Sequence, residues 1–410
     1  MAPLPVDFTI QSQHINFSEW MSLFTLCLTP LAVHIFAGVP EPTVLIGPKP
    51  QWHDRICHLN PTSIFWRYYA ITIRRSSTKR WGPADMAAAN AVFWTGEVSK
   101  WDGSKEIMIM IESRKLCTRL PSGSRIPLMS ASAMKTLLVT MQGIQAMYGL
   151  LKGLKLGGYA LKVALPNIFL PLALAGLYRL PASLWLTEEY GYATIDSKDA
   201  TIESGDASLP ENLGFADTSE PLCSQKNWPV IVVKPNIFLP LALAGLYRLP
   251  ASPWLTEEHG YATTDSGDAS LPEKLGFADT SEPLSSLRNW LVIAVKIFFL
   301  GTIAVLCALS IYYFKPNPRI TSGTASTLTI NLFYTIFLFV TLVTATIYTV
   351  KGQSNTTISP CISSTWYRIY TYFLFLFALW LLIASALETR ITPCGETTYP
   401  AKLGLDHFMC

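Results

Sequence analysis

Charge is what this sequence has least of. Only 14% of its 410 residues are Asp, Glu, Lys or Arg, against about 25% in a soluble domain. The net charge is +3, too small to direct the chain to nucleic acid. No Lys or Arg precedes Lys49, whereas secretory signals open on a basic stretch. The first apolar run therefore reads as a retained membrane anchor. The eight cysteines form no CxxC pair, so neither a zinc knuckle nor a thioredoxin-like motif is present. No Asp or Glu lies well inside an apolar run; Glu19 and Glu388 stand at the edges. That argues against proton-coupled carriers and intramembrane aspartyl enzymes, which need buried carboxylates. G-x-S-x-G, P-loop, G-x-G-x-x-G and H-E-x-x-H patterns are absent as well. No catalytic residue is named and no cofactor is implied.

What is abundant is apolar sequence, 50% of the chain, gathered into long runs. About 20 apolar residues cross a ~30 Å hydrocarbon core as a helix. Such runs occupy 21–39, 134–151, 163–186, 290–314, 328–350 and 366–387. Trp185, Trp228, Trp254, Trp290 and Trp366 fall at run ends, the pattern of an interfacial aromatic belt. The 134–151 run is the weakest, because Thr140, Gln142 and Gln145 interrupt it. Its amides require partners on neighbouring helices.

The expected fold is all-α: a polytopic transmembrane helix bundle of six or seven spans with acidic disordered loops. An N-terminal tail (1–20) leads into the first transmembrane helix (21–39). A polar, basic loop region (40–133) follows, with 13 Lys/Arg against seven Asp/Glu. Within it, 63–75 is too short and basic to span and suits an interfacial amphipathic helix; 84–96 reads as a second short helix ending in aromatics. Two transmembrane segments (134–186) precede duplicated acidic loops (187–289). Three further helices (290–390) and a tail (391–410) complete the chain.

The duplication is literal. PNIFLPLALAGLYRLPAS occurs at 166–183 and again, letter for letter, at 235–252. WLTEEYGYATIDS (185–197) returns as WLTEEHGYATTDS (254–266). Apolar positions interchange at little cost, so unbroken identity points to recent tandem copying rather than a repeat array. The join makes 229–253 a chimera of two helix halves, with Lys234, Pro235 and Asn236 near its middle. If that segment crosses, the span count is seven and everything after it changes side. The flanking loops are rich in Ser, Thr, Asp and Glu and read as solvated linkers.

Basic residues cluster in 40–133 and at Lys315, Arg319, Arg390 and Lys402. The positive-inside rule places these in the cytoplasm, with the N-terminus outside. Asn355-Thr-Thr then faces the lumen as a glycosylation candidate. Asn16-Phe-Ser is a second sequon, close to the membrane.

The densest polar constellation is WHDRICH, Trp52–His58. His53, Cys57 and His58 are weak metal candidates, because zinc wants four ligands and the loop's other cysteine is distant. Cys57 and Cys117 could pair if the loop faced an oxidising lumen. His34, Gln142, Gln145 and Asn331 could line a polar path.

WHDRICHLNPTSIFWRYYAI (52–71), MAAANAVFWTGEVSKWDGS (86–104) and ISPCISSTWYRIYT (358–371) resemble segments of uncharacterised polytopic membrane proteins of filamentous fungi. The resemblance implies membrane residence and several passes, and brings no activity. The expected role is a non-enzymatic accessory or scaffold component whose partners are the bilayer and other membrane proteins. A transporter or channel is the alternative. A membrane-bound biosynthetic enzyme, with His53, Asp54 and His58 as its polar cluster, is the second alternative. Endomembrane and plasma membrane are not distinguished.

Overall fold

The computed structural model describes residues 6–8, 10–78, 81–95, 101, 113–127, 129–155, 165–194, 286–314, 323–354, 356–391 and 397–398. All of them belong to one compact unit formed by Met1–Ile202 and Phe277–Cys410. The second hydrophobic copy, the 229–253 chimera and Asn355 lie outside the described residues.

The helices that build the fold are α1 (Phe17–Gly38), α2 (Pro61–Ser77), α3 (Pro83–Asn90), α4 (Ala131–Lys155), α5 (Leu170–Leu177), α6 (Arg179–Ala182, a single turn), α7 (Ser286–Phe314), α8 (Ala325–Val350) and α9 (Thr365–Glu388). Among the described residues, strands contribute only two-stranded ribbons, such as Pro42–Val44 parallel to Val92–Trp94 and Cys117–Arg119 antiparallel to Gly191–Tyr192. Five segments among the described residues are long and apolar enough to cross a membrane: Phe17–Gly38, Leu165–Trp185, Trp290–Tyr312, Ala325–Val350 and Thr365–Glu388. The chain is accordingly a mostly helical membrane protein.

Local chemistry explains the boundaries. At the start of α1 the Asn16 amide donates to Glu19 Oε2 at 3.3 Å. The helix stops at Gly38, just before Val39-Pro40, because a residue preceding proline avoids the α region. Hydroxyls within the helix return to their own backbone: Thr25 donates to the Met21 carbonyl at 2.7 Å and Thr29 to Thr25 at 2.5 Å. That removes exposed polar groups from hydrocarbon.

Three segments differ from expectation. Within the 163–186 run, the described residues 165–186 form a broken helix, with 3-10 turns at Leu165–Asn167 and Ser183–Trp185 around α5 and α6. Pro166, Pro171 and Pro181 punctuate it, each lacking a backbone donor. The helix expected at the interface, 63–75, is instead the buried α2. Every residue from Pro61 to Ile73 is enclosed by protein. Its neighbours are α1, α5, α6, α7 and α8. The α4 helix covers the weak 134–151 run at spanning length but is not among the five apolar enough to cross.

Close helix contact depends on small residues. A Cβ on Gly176 would stand 2.3 Å from Val139 Cγ1, and one on Gly143 would stand 2.5 Å from Leu177 Cδ2. The α4–α5 pair is interlocked through these two glycines. Gly38 serves the α1–α2 pair in the same way, 2.2 Å from Ile64 Cγ2.

Candidate functional site

The α2 helix can be buried although polar because its hydrogen-bonding groups find partners. Asn60 caps it, accepting from the Thr62 amide at 2.9 Å and donating to Thr371 Oγ1 at 2.9 Å. Thr62 Oγ1 lies 2.9 Å from Thr341 Oγ1 and 3.1 Å from the Tyr370 hydroxyl. Ser63 Oγ donates to the Cys57 carbonyl at 2.7 Å and meets the Tyr367 hydroxyl at 2.7 Å. Trp66 Nε1 donates to the Thr356 carbonyl, and Tyr69 bonds Thr349. Apart from the cap itself and the Ser63 bond to Cys57, these bonds tie α2 and its cap to α8, α9 or the segment between them.

Two buried arginines stand at one end of this core. Arg67 donates to the Asn90 carbonyl at 2.7 Å. The Asn90 side chain in turn holds the Met86 and Trp185 carbonyls and the Thr187 amide. Arg179 is 2% exposed. Its Nε donates to Thr136 Oγ1 at 2.8 Å, and its two terminal nitrogens reach the Ala37 carbonyl, the Tyr68 hydroxyl and Ser132. The guanidinium also faces the Tyr68 ring at 5.7 Å. Among the described residues no carboxylate pairs with Arg179. Neutral oxygens and a π-face therefore replace its water. The pocket between the arginines has a volume of about 10 Å³, room for one water. The Lys135–Glu188 ion pair, 2.5 Å, stands beside it.

The WHDRICH segment forms one helical turn, Trp52–Arg55, and a 3-10 turn, Ile56–Leu59. Its candidate ligands diverge. His53 is half exposed, 3.6 Å from Asp54. Cys57 is buried in the core formed with Leu23, Tyr367 and Leu374. His58 packs edge-on against Trp101 at 4.4 Å. Its Nε2 is enclosed, with no hydrogen-bond partner among the described residues. Burial, with Arg67 and Arg55 nearby, pushes the His58 pKa down to about 3. Among the described residues no three His, Cys, Asp or Glu groups are placed to hold a metal.

Cys57 and Cys117 are both free thiols. Burial raises the Cys57 pKa despite a hydrogen bond from Thr371 and the charge of Arg368, which lower it. Cys361 is pushed up to about 11 by burial. Neither is a thiolate near neutral pH. Cys117 belongs elsewhere, in the strand paired with Tyr192. Asn16 is exposed at the start of α1.

The four polar-path candidates are not gathered into one cavity. His34 is 2% exposed, and neither ring nitrogen has a partner among the described residues. Gln142 is half-buried and Gln145 exposed, both on α4. Of the four, Asn331 alone lines the cavity beside Phe65, Leu174, Ile303 and Phe337, an apolar space of about 80 Å³. Arg67, Arg179 and Asn90 were not among the sequence candidates. Arg179 carried a usable signal, a lone cation inside an apolar run, whereas nothing in sequence marks Asn90. Comparison with family models, curated proteins and solved structures found no match, so the functional reading rests on this chain's own geometry.

Proposed function

We propose that the chain is a multi-pass membrane protein acting as a non-enzymatic accessory or scaffold component, with other membrane proteins as its partners. One observation carries this reading: the polar helix that could have lined a path, α2, is enclosed on every side from Pro61 to Ile73. Conduction and carriage need a continuous polar lining or a cavity open by turns to each side. Here the hydroxyls around α2 bond one another, and the cavity beside Phe65, Leu174 and Phe337 is lined mostly by apolar side chains. The divergence of His53 from Cys57 and His58 likewise speaks against a catalytic cluster. The resemblance to fungal polytopic membrane proteins is part of the proposal.

The test is reconstitution of the full chain into liposomes, with proton, potassium and chloride flux followed by entrapped dyes. The expected rates equal those of protein-free liposomes, while in-membrane cross-linking recovers a stoichiometric membrane partner. A saturable flux abolished by Gln142→Leu or Asn331→Leu would overturn the reading in favour of a transporter.

The proposal includes seven crossings, the five apolar segments together with 134–151 and 229–253. Glycosylation reporters at Gly205 and Ser270 should then report opposite faces. Reporters on the same face would mean that the copied segment does not cross.

A further inference from the structure

We infer that the cavity beside α5, α7 and α8 is a binding slot for one alkyl chain of a bilayer lipid, with Asn331 hydrogen-bonded to the lipid's ester carbonyl. This inference is independent of the scaffold reading, since a carrier or an enzyme could hold a lipid equally well.

The shape comes first. The lining runs along α8 from Asn331 to Thr341, ten residues or about 15 Å at 1.5 Å per residue. An apolar lining that follows one helix over that length is a track for an extended chain. Leu174, Ile303, Leu306 and Phe337 make its walls. The helices α7 and α8 that flank it contain two of the five segments apolar enough to cross the membrane, so the slot lies at bilayer depth.

The polar groups decide the ligand's chemistry. No Lys, Arg, His, Asp or Glu lines the slot, which excludes a charged headgroup inside it. Most of the polar side chains present are already engaged. The Tyr178 hydroxyl donates to Thr302 at 2.6 Å, and the Tyr334 hydroxyl to the Ile168 carbonyl at 2.6 Å. Ser310 accepts from Thr335 at 3.2 Å, and Thr341 donates to the Phe337 carbonyl at 2.7 Å. Asn331 is the exception: its amide has no hydrogen-bond partner among the described residues. A primary amide facing hydrocarbon without a partner is costly.

Depth selects the acceptor. Asn331 lies six residues into α8, which begins at Ala325, or about 9 Å along the axis. The 26-residue helix is about 39 Å long against a ~30 Å hydrocarbon core. Asn331 is thus near the edge of that core, where lipid ester carbonyls lie. From there the slot leads inward toward Phe65 and Thr341, the direction an acyl chain takes. The donor is at the shallow end and the apolar walls are at the deep end.

The experiment uses the full chain in liposomes containing a phosphatidylcholine with a photoactivatable diazirine on one acyl chain. After irradiation, adducts are mapped by peptide mass spectrometry. Adducts should concentrate on Ile303, Leu306 and Leu338, relative to Val305 and Ile311, which are exposed on α7. Ala175→Phe, which fills the slot, should lower cavity adducts about tenfold. Asn331→Leu, which preserves bulk and suits a membrane helix, should lower them about fivefold; both variants should leave Val305 and Ile311 unchanged. Equal labelling of cavity and outer faces, or cavity labelling unchanged in Asn331→Leu, would overturn the inference. Stronger labelling of the slot by a diazirine sterol would overturn the assignment to an alkyl chain.

Discussion

Ser63 Oγ and the Tyr367 hydroxyl meet at 2.7 Å although 304 positions separate them in the chain. The contact joins the first turns of α2 and α9, and the same Ser63 hydroxyl donates to the Cys57 carbonyl. A buried hydroxyl pair of this kind contributes about 0.5–1.5 kcal/mol. Tyr367→Phe should therefore destabilise by about 1 kcal/mol, since Ser63 keeps its carbonyl acceptor. Ser63→Val should cost more, because it leaves both the Cys57 carbonyl and the Tyr367 hydroxyl without this partner. Thermal unfolding of the detergent-solubilised chain orders the two variants; equal midpoints for both and for the parent would contradict the bond.

Arg179 ties two helix ends to its own turn, that of α1 through Ala37 and that of α4 through Ser132 and Thr136. Arg179→Met keeps the stem but leaves those oxygens buried without donors, at about 1–3 kcal/mol for each group so stranded. A net loss of about 2–4 kcal/mol is expected. Arg179→Lys should lie between the two, because an ammonium cannot reproduce the guanidinium fork. Limited proteolysis and thermal unfolding both report the order parent, Lys, Met. A Met variant as stable as the parent would show that the guanidinium is dispensable.

The spans were legible in sequence because their signal is one-dimensional. Lipid-facing helices must be apolar along their whole length, and 290–314, 328–350 and 366–387 correspond to α7, α8 and α9 within a few residues. The α2 helix was misread for the opposite reason. Arg67, Thr72, Arg74 and Arg75 give it the polarity of a surface helix, and its burial depends on Thr341, Thr349, Thr356 and Tyr370, nearly 300 positions away. No local pattern carries those partners. The site candidates divided along the same line. Cys57 and His58 lie four and five positions after His53, yet a turn sends them inward while His53 remains outside. Asn331 lines a cavity, as a polar residue in a span often must, but the other three path residues occupy different places.

Glycine positions give a contrast within one protein. Gly176 and Gly38 leave no room for a Cβ, whereas nothing lies within 4 Å of a Cβ built on Gly301. Gly176→Ala and Gly38→Ala should each cost about 1–3 kcal/mol by overpacking. Gly301→Ala should be neutral or stabilise α7 by up to about 1 kcal/mol, since alanine is the better helix former. Unfolding midpoints of the three variants settle the comparison. Equal shifts at Gly176 and Gly301 would refute the close α4–α5 contact.

Part of the acid response of the fold should trace to His58. Its pKa is about 3 in the folded chain, against an ordinary value of 6.5, because burial excludes the imidazolium and the charges of Arg67 and Arg55 repel it. Between these two values the unfolded chain binds a proton that the folded chain refuses, so stability falls as pH falls. The slope is about 1.4 kcal/mol per pH unit between pH 6 and pH 4. Above pH 7 the residue is neutral in both states and contributes no slope. His58→Phe preserves an aromatic contact with Trp101 and removes both the titration and the enclosed, partnerless Nε2. Denaturation of parent and variant across pH 4–8 isolates the term, because carboxylates elsewhere affect both equally. The difference curve should be flat above pH 7 and open in the variant's favour below pH 6.5. A difference independent of pH would mean that His58 takes up its proton in the folded protein, and that the pocket around Arg67 admits the charge.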